Sequence, residues 1–252
     1  MKCRLFRGGR RDWLGAKAAR LCGERRVTID ETLTPTSGGA AIWSAENLLW
    51  RLAEVAVAGA LGGLLMVLAW LGVRPDLAAA VQTPVFWIKI GYAFVLAIGA
   101  GVTACRMARG RRWGLVPLLL AAGVAGGFLT FGLVQALAMN PQALMRLYWP
   151  TALACIVAIL AIATPMLLFA SYGLASVDPE KPKLVGFAGG VACGAVADVV
   201  FGLHCPFTTF AFIAPWHTAG ILTCGVAGLL LVDLFGRIRR ARAPLIEGAA
   251  VE

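Results

Sequence analysis

The chain has 252 residues, of which 60% are hydrophobic and 14% charged, and its mean hydropathy is +0.80. A soluble globular domain carries about 25% charged residues, so this balance excludes a soluble domain and indicates an integral membrane protein. The formal net charge of +10, from 23 Lys and Arg against 13 Asp and Glu, reads as basic cytoplasmic loops rather than nucleic-acid binding, because membrane proteins collect Lys and Arg on the cytoplasmic side.

Residues 1–50 are polar and basic. They contain no uncharged apolar core of signal-peptide type, so no cleavage is expected. The stretch TPTSGG reads as a linker, and SAENLLWRLAEV (44–55) as the start of a helix, with a serine ahead of apolar residues at helical spacing. Six apolar runs follow, at about 52–73, 85–105, 115–139, 149–171, 184–203 and 210–235. Each is near the roughly 20 residues that cross a bilayer as a helix. The expected fold is therefore all-α: a six-helix transmembrane bundle over 51–236, preceded by a cytoplasmic segment 1–50 and followed by a cytoplasmic tail 237–252.

Orientation follows from Lys and Arg placement. The segment through Arg51 carries ten, the second loop four, the fourth loop Lys181 and Lys183, and the tail four. The opposite side carries only Arg74 and Arg146. Both termini are expected in the cytoplasm, which puts the HCPFTT loop on the outer face. Glycine ridges at Gly186, Gly190 and Gly194, and at Gly123, Gly126 and Gly127, suit close helix approach within the bundle.

Ionisable residues inside a membrane are costly and are candidate functional groups. Lys89, Asp198 and His217 fall in the predicted outer half, and Asp233 near the inner end of the last helix. Cys155, Cys205 and His204 share the outer layer. One reading is a sensory site, in which Cys155 and Cys205 form a reversible disulfide or, with His204 or His217, bind a soft metal ion. The plainer reading makes Lys89 and Asp198 an ion pair, and is the one favoured for those two residues. Cys205 is favoured as a functional thiol because it is expected at the boundary beside an imidazole. Cys193 and Cys224 are expected to be inert, and Cys3 and Cys22 face a reducing cytoplasm. The seven cysteines form no CxxC, which argues against a disulfide framework or a zinc module. No Walker loop, HExxH or GxSxG occurs, so neither an enzyme nor a cofactor is expected. Trp87, Trp113, Trp149 and Trp216 read as interfacial anchors.

Two stretches carry a resemblance. GVRPDLAAAVQTPVFWIKIGYAF (72–94) and LHCPFTTFAFIAPWHTAGI (203–221) resemble the first outer loop with the second helix, and the helix-five to helix-six segment, of the NrsF-like family of six-helix membrane anti-sigma factors. The resemblance spans roughly residues 50–242. It implies an inner-membrane protein of a bacterium that holds an extracytoplasmic-function sigma factor and releases it under metal or oxidative stress. It also implies sensory roles for Cys205 and Cys155, and no direct contact with nucleic acid. Two positions depart from the family pattern: Phe207 replaces an acidic residue, and His217 replaces a tyrosine. The first removes a metal ligand and the second adds one. The alternative class is a small multispan transporter or channel with Lys89, Asp198 and His217 lining a path, although no internal repeat supports it.

Overall fold

The computed structural model describes residues 43–44, 46–111, 113–140 and 151–249, with side chains as far as residue 242. The expected basic segment up to residue 42, with Cys3 and Cys22, lies outside the described residues. So do Arg112, the segment 141–150 with Arg146 and Trp149, and residues 250–252.

Among the described residues, six helices are long and apolar enough to cross a membrane. They are α1 (Leu48–Leu71), α2 (Pro84–Ala108), α3 (Val116–Leu137), α4 (Thr151–Ser176), α5 (Pro182–Phe201) and α6 (Phe210–Ala249). Local chemistry sets their ends. Extended Thr83 precedes Pro84, and Lys181 precedes Pro182; proline suits a first helical turn because its missing N–H would be unpaired there anyway. The last turn of α1, Val67–Leu71, is π-helical. Gly72 stops it with a φ of +80°, a conformation that favours glycine, and its N–H bonds to the Val67 carbonyl at 2.7 Å.

Three spans run further than their apolar patterns indicate. α1 begins at Leu48 because SAENLLW feeds into the apolar run without a break. α4 continues to Ser176 through a run of small residues. α6 runs unbroken past residue 235, and the portion Phe210–Arg242 is 33 residues long. At 1.5 Å per residue that is about 50 Å, well beyond a hydrocarbon core of about 30 Å. Its basic end is tied to the end of α4 and the loop after it: Arg239 donates to the Ala175 carbonyl at 3.1 Å, and Arg240 meets Asp178 at 3.3 Å. Asp233 is paired with Arg237 at 2.7 Å, one turn on.

α5 is the centre of the bundle, against α2, α4 and α6. α1 lies on α4 and α5, and α3 on α2 and α6. The α5–α6 crossing is where glycine matters. A Cβ on Gly228 would meet the Gly186 carbonyl at 2.5 Å and the Gly190 Cα at 2.7 Å, so backbone rests on backbone. The expected ridge on α5 is thus used inside the bundle. Gly123, Gly126 and Gly127 on α3 are different: none of the described atoms lies within 4 Å of a Cβ placed there, so these three do not serve bundle packing. Trp87 and Trp113 stand exposed, as anchors would, whereas Trp216 packs against the core.

Substituting Gly228 by valine should destabilise the bundle by at least about 2 kcal/mol, the scale of overpacking a close contact. Gly123→Val should be neutral. Thermal unfolding of both variants in the same detergent separates them, and equal melting temperatures would contradict this account of the α5–α6 contact.

Candidate functional site

At the end of the bundle where α1 and α5 finish, five chemically active side chains converge from four helices and one loop. α2 supplies Lys89, α4 Cys155, α5 Asp198 and α6 His217, while Cys205 comes from the loop between α5 and α6. Lys89, Asp198, His217 and Cys205 are each 3% exposed or less. His217 Nδ1 lies 2.5 Å from Asp198 Oδ1, and its Nε2 lies 3.5 Å from Cys205 Sγ. A carboxylate only accepts, so Nδ1 carries the proton and donates it to Asp198. The Nε2 edge then faces the thiol. Cys155 Sγ, Cys205 Sγ and a ring nitrogen of His217 all lie within 4.8 Å of one another.

Asp198 therefore bonds to histidine rather than to lysine. The expected Lys89–Asp198 ion pair is not formed: Lys89 Nζ is buried without a hydrogen-bond partner among the described residues, and so is Asp198 Oδ2. The reason is rotational. His217 is turned inward on α6 and reaches the carboxylate first.

The position of Cys205 is set by a residue that sequence reasoning passed over. Arg74, counted there only as one of few charges on its side, is itself buried. It forms a two-pronged pair with Asp76, with both N···O distances 2.7 Å. Its remaining donors reach the carbonyls of Cys205 at 3.1 Å and Pro206 at 3.3 Å. Its backbone N–H also bonds to the Leu203 carbonyl at 3.0 Å. This clamp draws the 203–206 loop onto the bundle end. Cys205 is consequently buried, not at an open surface as its place in the chain indicates. The available signal was an arginine beside an aspartate, RPD, in an otherwise apolar loop. A hydrogen bond from Cys155 holds the Cys205 thiol below its ordinary value, against burial, and the His217 bond acts in the same direction.

His204 does not join the cluster. Its Nδ1 donates to the Gly72 carbonyl at 2.8 Å, which makes it a second tie between the two loops. Cys193 and Cys224 are buried in the core, and Cys224 sits at the α5–α6 crossing against Gly194. Two thiols and one imidazole nitrogen at this separation match the donor set that holds soft or borderline metal ions. The two sulfur atoms themselves lie within 4.8 Å of each other.

Residues 37–237 match the family described as NrsF, negative regulator of sigma F. The chain belongs to the NrsF family. It is 36% identical over 183 residues to the anti-sigma-F factor NrsF of Caulobacter vibrioides, covering 71% of this chain and 84% of that protein. It is 33% identical over 208 residues to the probable anti-sigma-F factor NrsF of Azospira oryzae, covering 81% and 97%. No solved structure matches. All five side chains of this NrsF-family site lie within the matched region.

If Arg74 holds Cys205 down, Arg74→Gln should raise the rate at which a thiol reagent modifies Cys205 by about tenfold, the scale of one lost charge-assisted hydrogen bond. Mass spectrometry of the Cys205 peptide measures the rate. An unchanged rate would mean that the loop is buried for another reason.

Proposed function

We propose that this protein is a multi-pass inner-membrane anti-sigma factor. It sequesters an extracytoplasmic-function sigma factor and releases it when a soft metal ion or an oxidant reaches Cys155 and Cys205. The observation that carries the sensory part is the approach of Cys155 Sγ, Cys205 Sγ and a His217 ring nitrogen to within 4.8 Å of one another. The regulatory part rests on family membership and on two relatives named as anti-sigma-F factors. In this reading both termini are cytoplasmic, and the thiol site lies toward the outer face, as the distribution of Lys and Arg implies. The sigma factor would contact the basic segments on the other face, chiefly residues 1–51 and the 106–114 loop.

The geometry suggests how the signal could cross. The three sulfur and nitrogen donors come from α4, the α5–α6 loop and α6. An ion or a disulfide that shortens their separations pulls these elements together. Arg74 and His204 bind the same loop to the end of α1, and α1 leads back to the N-terminal segment. Movement of Cys205 thus has a direct mechanical route to the first helix. A ligand shifts such an equilibrium only by favouring one conformation over the other.

In cells carrying a sigma-dependent reporter, Cys205→Ser and Cys155→Ser should each abolish induction by metal or oxidant while basal repression stays at the wild-type level. Induction that survives both substitutions would remove the sensory assignment. Failure of the wild-type protein to co-purify with any sigma factor would remove the regulatory one.

A further inference from the structure

α1 and α2 do not close on each other. They hardly touch, and between them is a cavity of about 390 Å³, walled also by α4 and α5. Small residues create it: Ala53 and Ala56 on α1, Ala97 and Gly101 on α2, and Gly189 and Ala192 on α5. Among the described atoms, a Cβ on Gly101 would find only the Ala192 Cβ within 4 Å, at 3.9 Å. No lining side chain carries a charge, an amide or a hydroxyl, so water finds nothing to bond and the space stays dry. Leu49, Val57, Phe94 and Ile98 line it and are exposed, and all four belong to membrane-spanning helices. The cavity therefore opens sideways into hydrocarbon. Its volume is that of a small-molecule site, and its concavity sets it apart from the helix faces that ordinary bilayer lipid covers.

One end of the cavity is charged. The lining begins at Leu49, in the first turn of α1, and ends on α2 at Val102. Arg106 follows Val102 by four residues, which places it on the same face of α2, one turn nearer the helix end. It is half-buried and makes no ion pair with a described residue, whereas Arg51 on α1 is answered by Glu54 at 2.9 Å. Arg109 reaches the Glu46 carbonyl at 2.8 Å. That bond joins the end of α2 to the chain ahead of α1, so the charged end is bridged while the side stays open. A dry apolar slot with an unanswered guanidinium at its mouth fits a ligand with a hydrocarbon tail and an anionic head. We propose that the cavity holds one acyl chain of an anionic phospholipid, with the phosphate on Arg106. A guanidinium pairs closely with phosphate oxygens, and basic pockets between helices on the cytoplasmic side hold anionic headgroups. The bound chain completes the contact between α1 and α2. The site needs nothing from the thiols; its assignment to the inner leaflet rests on the orientation proposed above.

The test is the lipid that full-length protein keeps after extraction in a mild detergent, read by native mass spectrometry. Wild type should keep one anionic phospholipid per chain. Gly101→Leu, which places a side chain in the cavity, should lose it. Gly123→Leu, on the open face of α3, should keep it. Arg106→Gln should lower the preference for phosphatidylglycerol over phosphatidylethanolamine by roughly tenfold, the scale of one charge-assisted contact, and Arg106→Lys should preserve most of it. Three results would each overturn the proposal: wild type that carries no lipid, equal retention by Gly101→Leu, or a free fatty acid or second copy of the chain in place of the phospholipid. A preference unchanged in Arg106→Gln would overturn it likewise. If Gly101→Leu does not fold, Ala53→Leu fills the same space from α1. An error in the orientation has a separate signature: a C-terminal green fluorescent protein fusion would stay dark, while lipid retention still depended on Gly101 and Arg106.

Discussion

A carboxylate buried in an apolar bundle has to be answered, and the answer to Asp198 organises this protein. His217 donates to it across 2.5 Å from the neighbouring helix. The bond links α5, the central helix, to α6, one turn along from Gly194, where α5 still packs closely on α6. It also uses up one edge of the imidazole. The other edge then has a single direction, toward Cys205 and Cys155. The structural need to satisfy one buried charge thereby creates a three-donor site.

The approach of α5 to α6 makes that bond reachable. Gly186, Gly190 and Gly228 let the backbones touch lower down, and dispersion contacts between such surfaces are what hold helices together where water supplies no driving force. At the other boundary the clamp of Arg74 and Asp76 performs the same service for the loop. A guanidinium with two carboxylate contacts and two carbonyl contacts leaves few of its donors unsatisfied, which is why an arginine is tolerated in a buried place. Site and scaffold are in this sense one object: the contacts that close the bundle end also hold the sulfur atoms together.

Much of this is legible in the residues themselves. The six apolar runs correspond to the six helices, with ends displaced by a few residues where a helix continues through polar or small residues, as α6 does beyond residue 235. The candidate residues Cys155, Cys205, His217, Asp198 and Lys89 were all visible as polar side chains at a shared depth, because depth follows from counting 1.5 Å per residue along a helix of known direction. The partnerships were not visible. Lys89 and Asp198 looked like an ion pair, and His204 looked as near to Cys205 as His217. His204 instead turns to the Gly72 carbonyl.

By itself the sequence determined the class of protein, the number of spans, the layer in which its polar groups lie and the family resemblance. Hydropathy over about 20 residues sets the first two, counting residues along each helix sets the third, and the stretches 72–94 and 203–221 carry the resemblance; none of this needs knowledge of neighbours. Only the tertiary structure decided which polar group meets which. That depends on how each helix is rotated about its axis, and helices apolar nearly all round carry little periodic signal for rotation. The contacts that settle it are long-range: glycine against backbone at the α5–α6 crossing, and Arg74 reaching across 131 residues of chain to the carbonyl of Cys205.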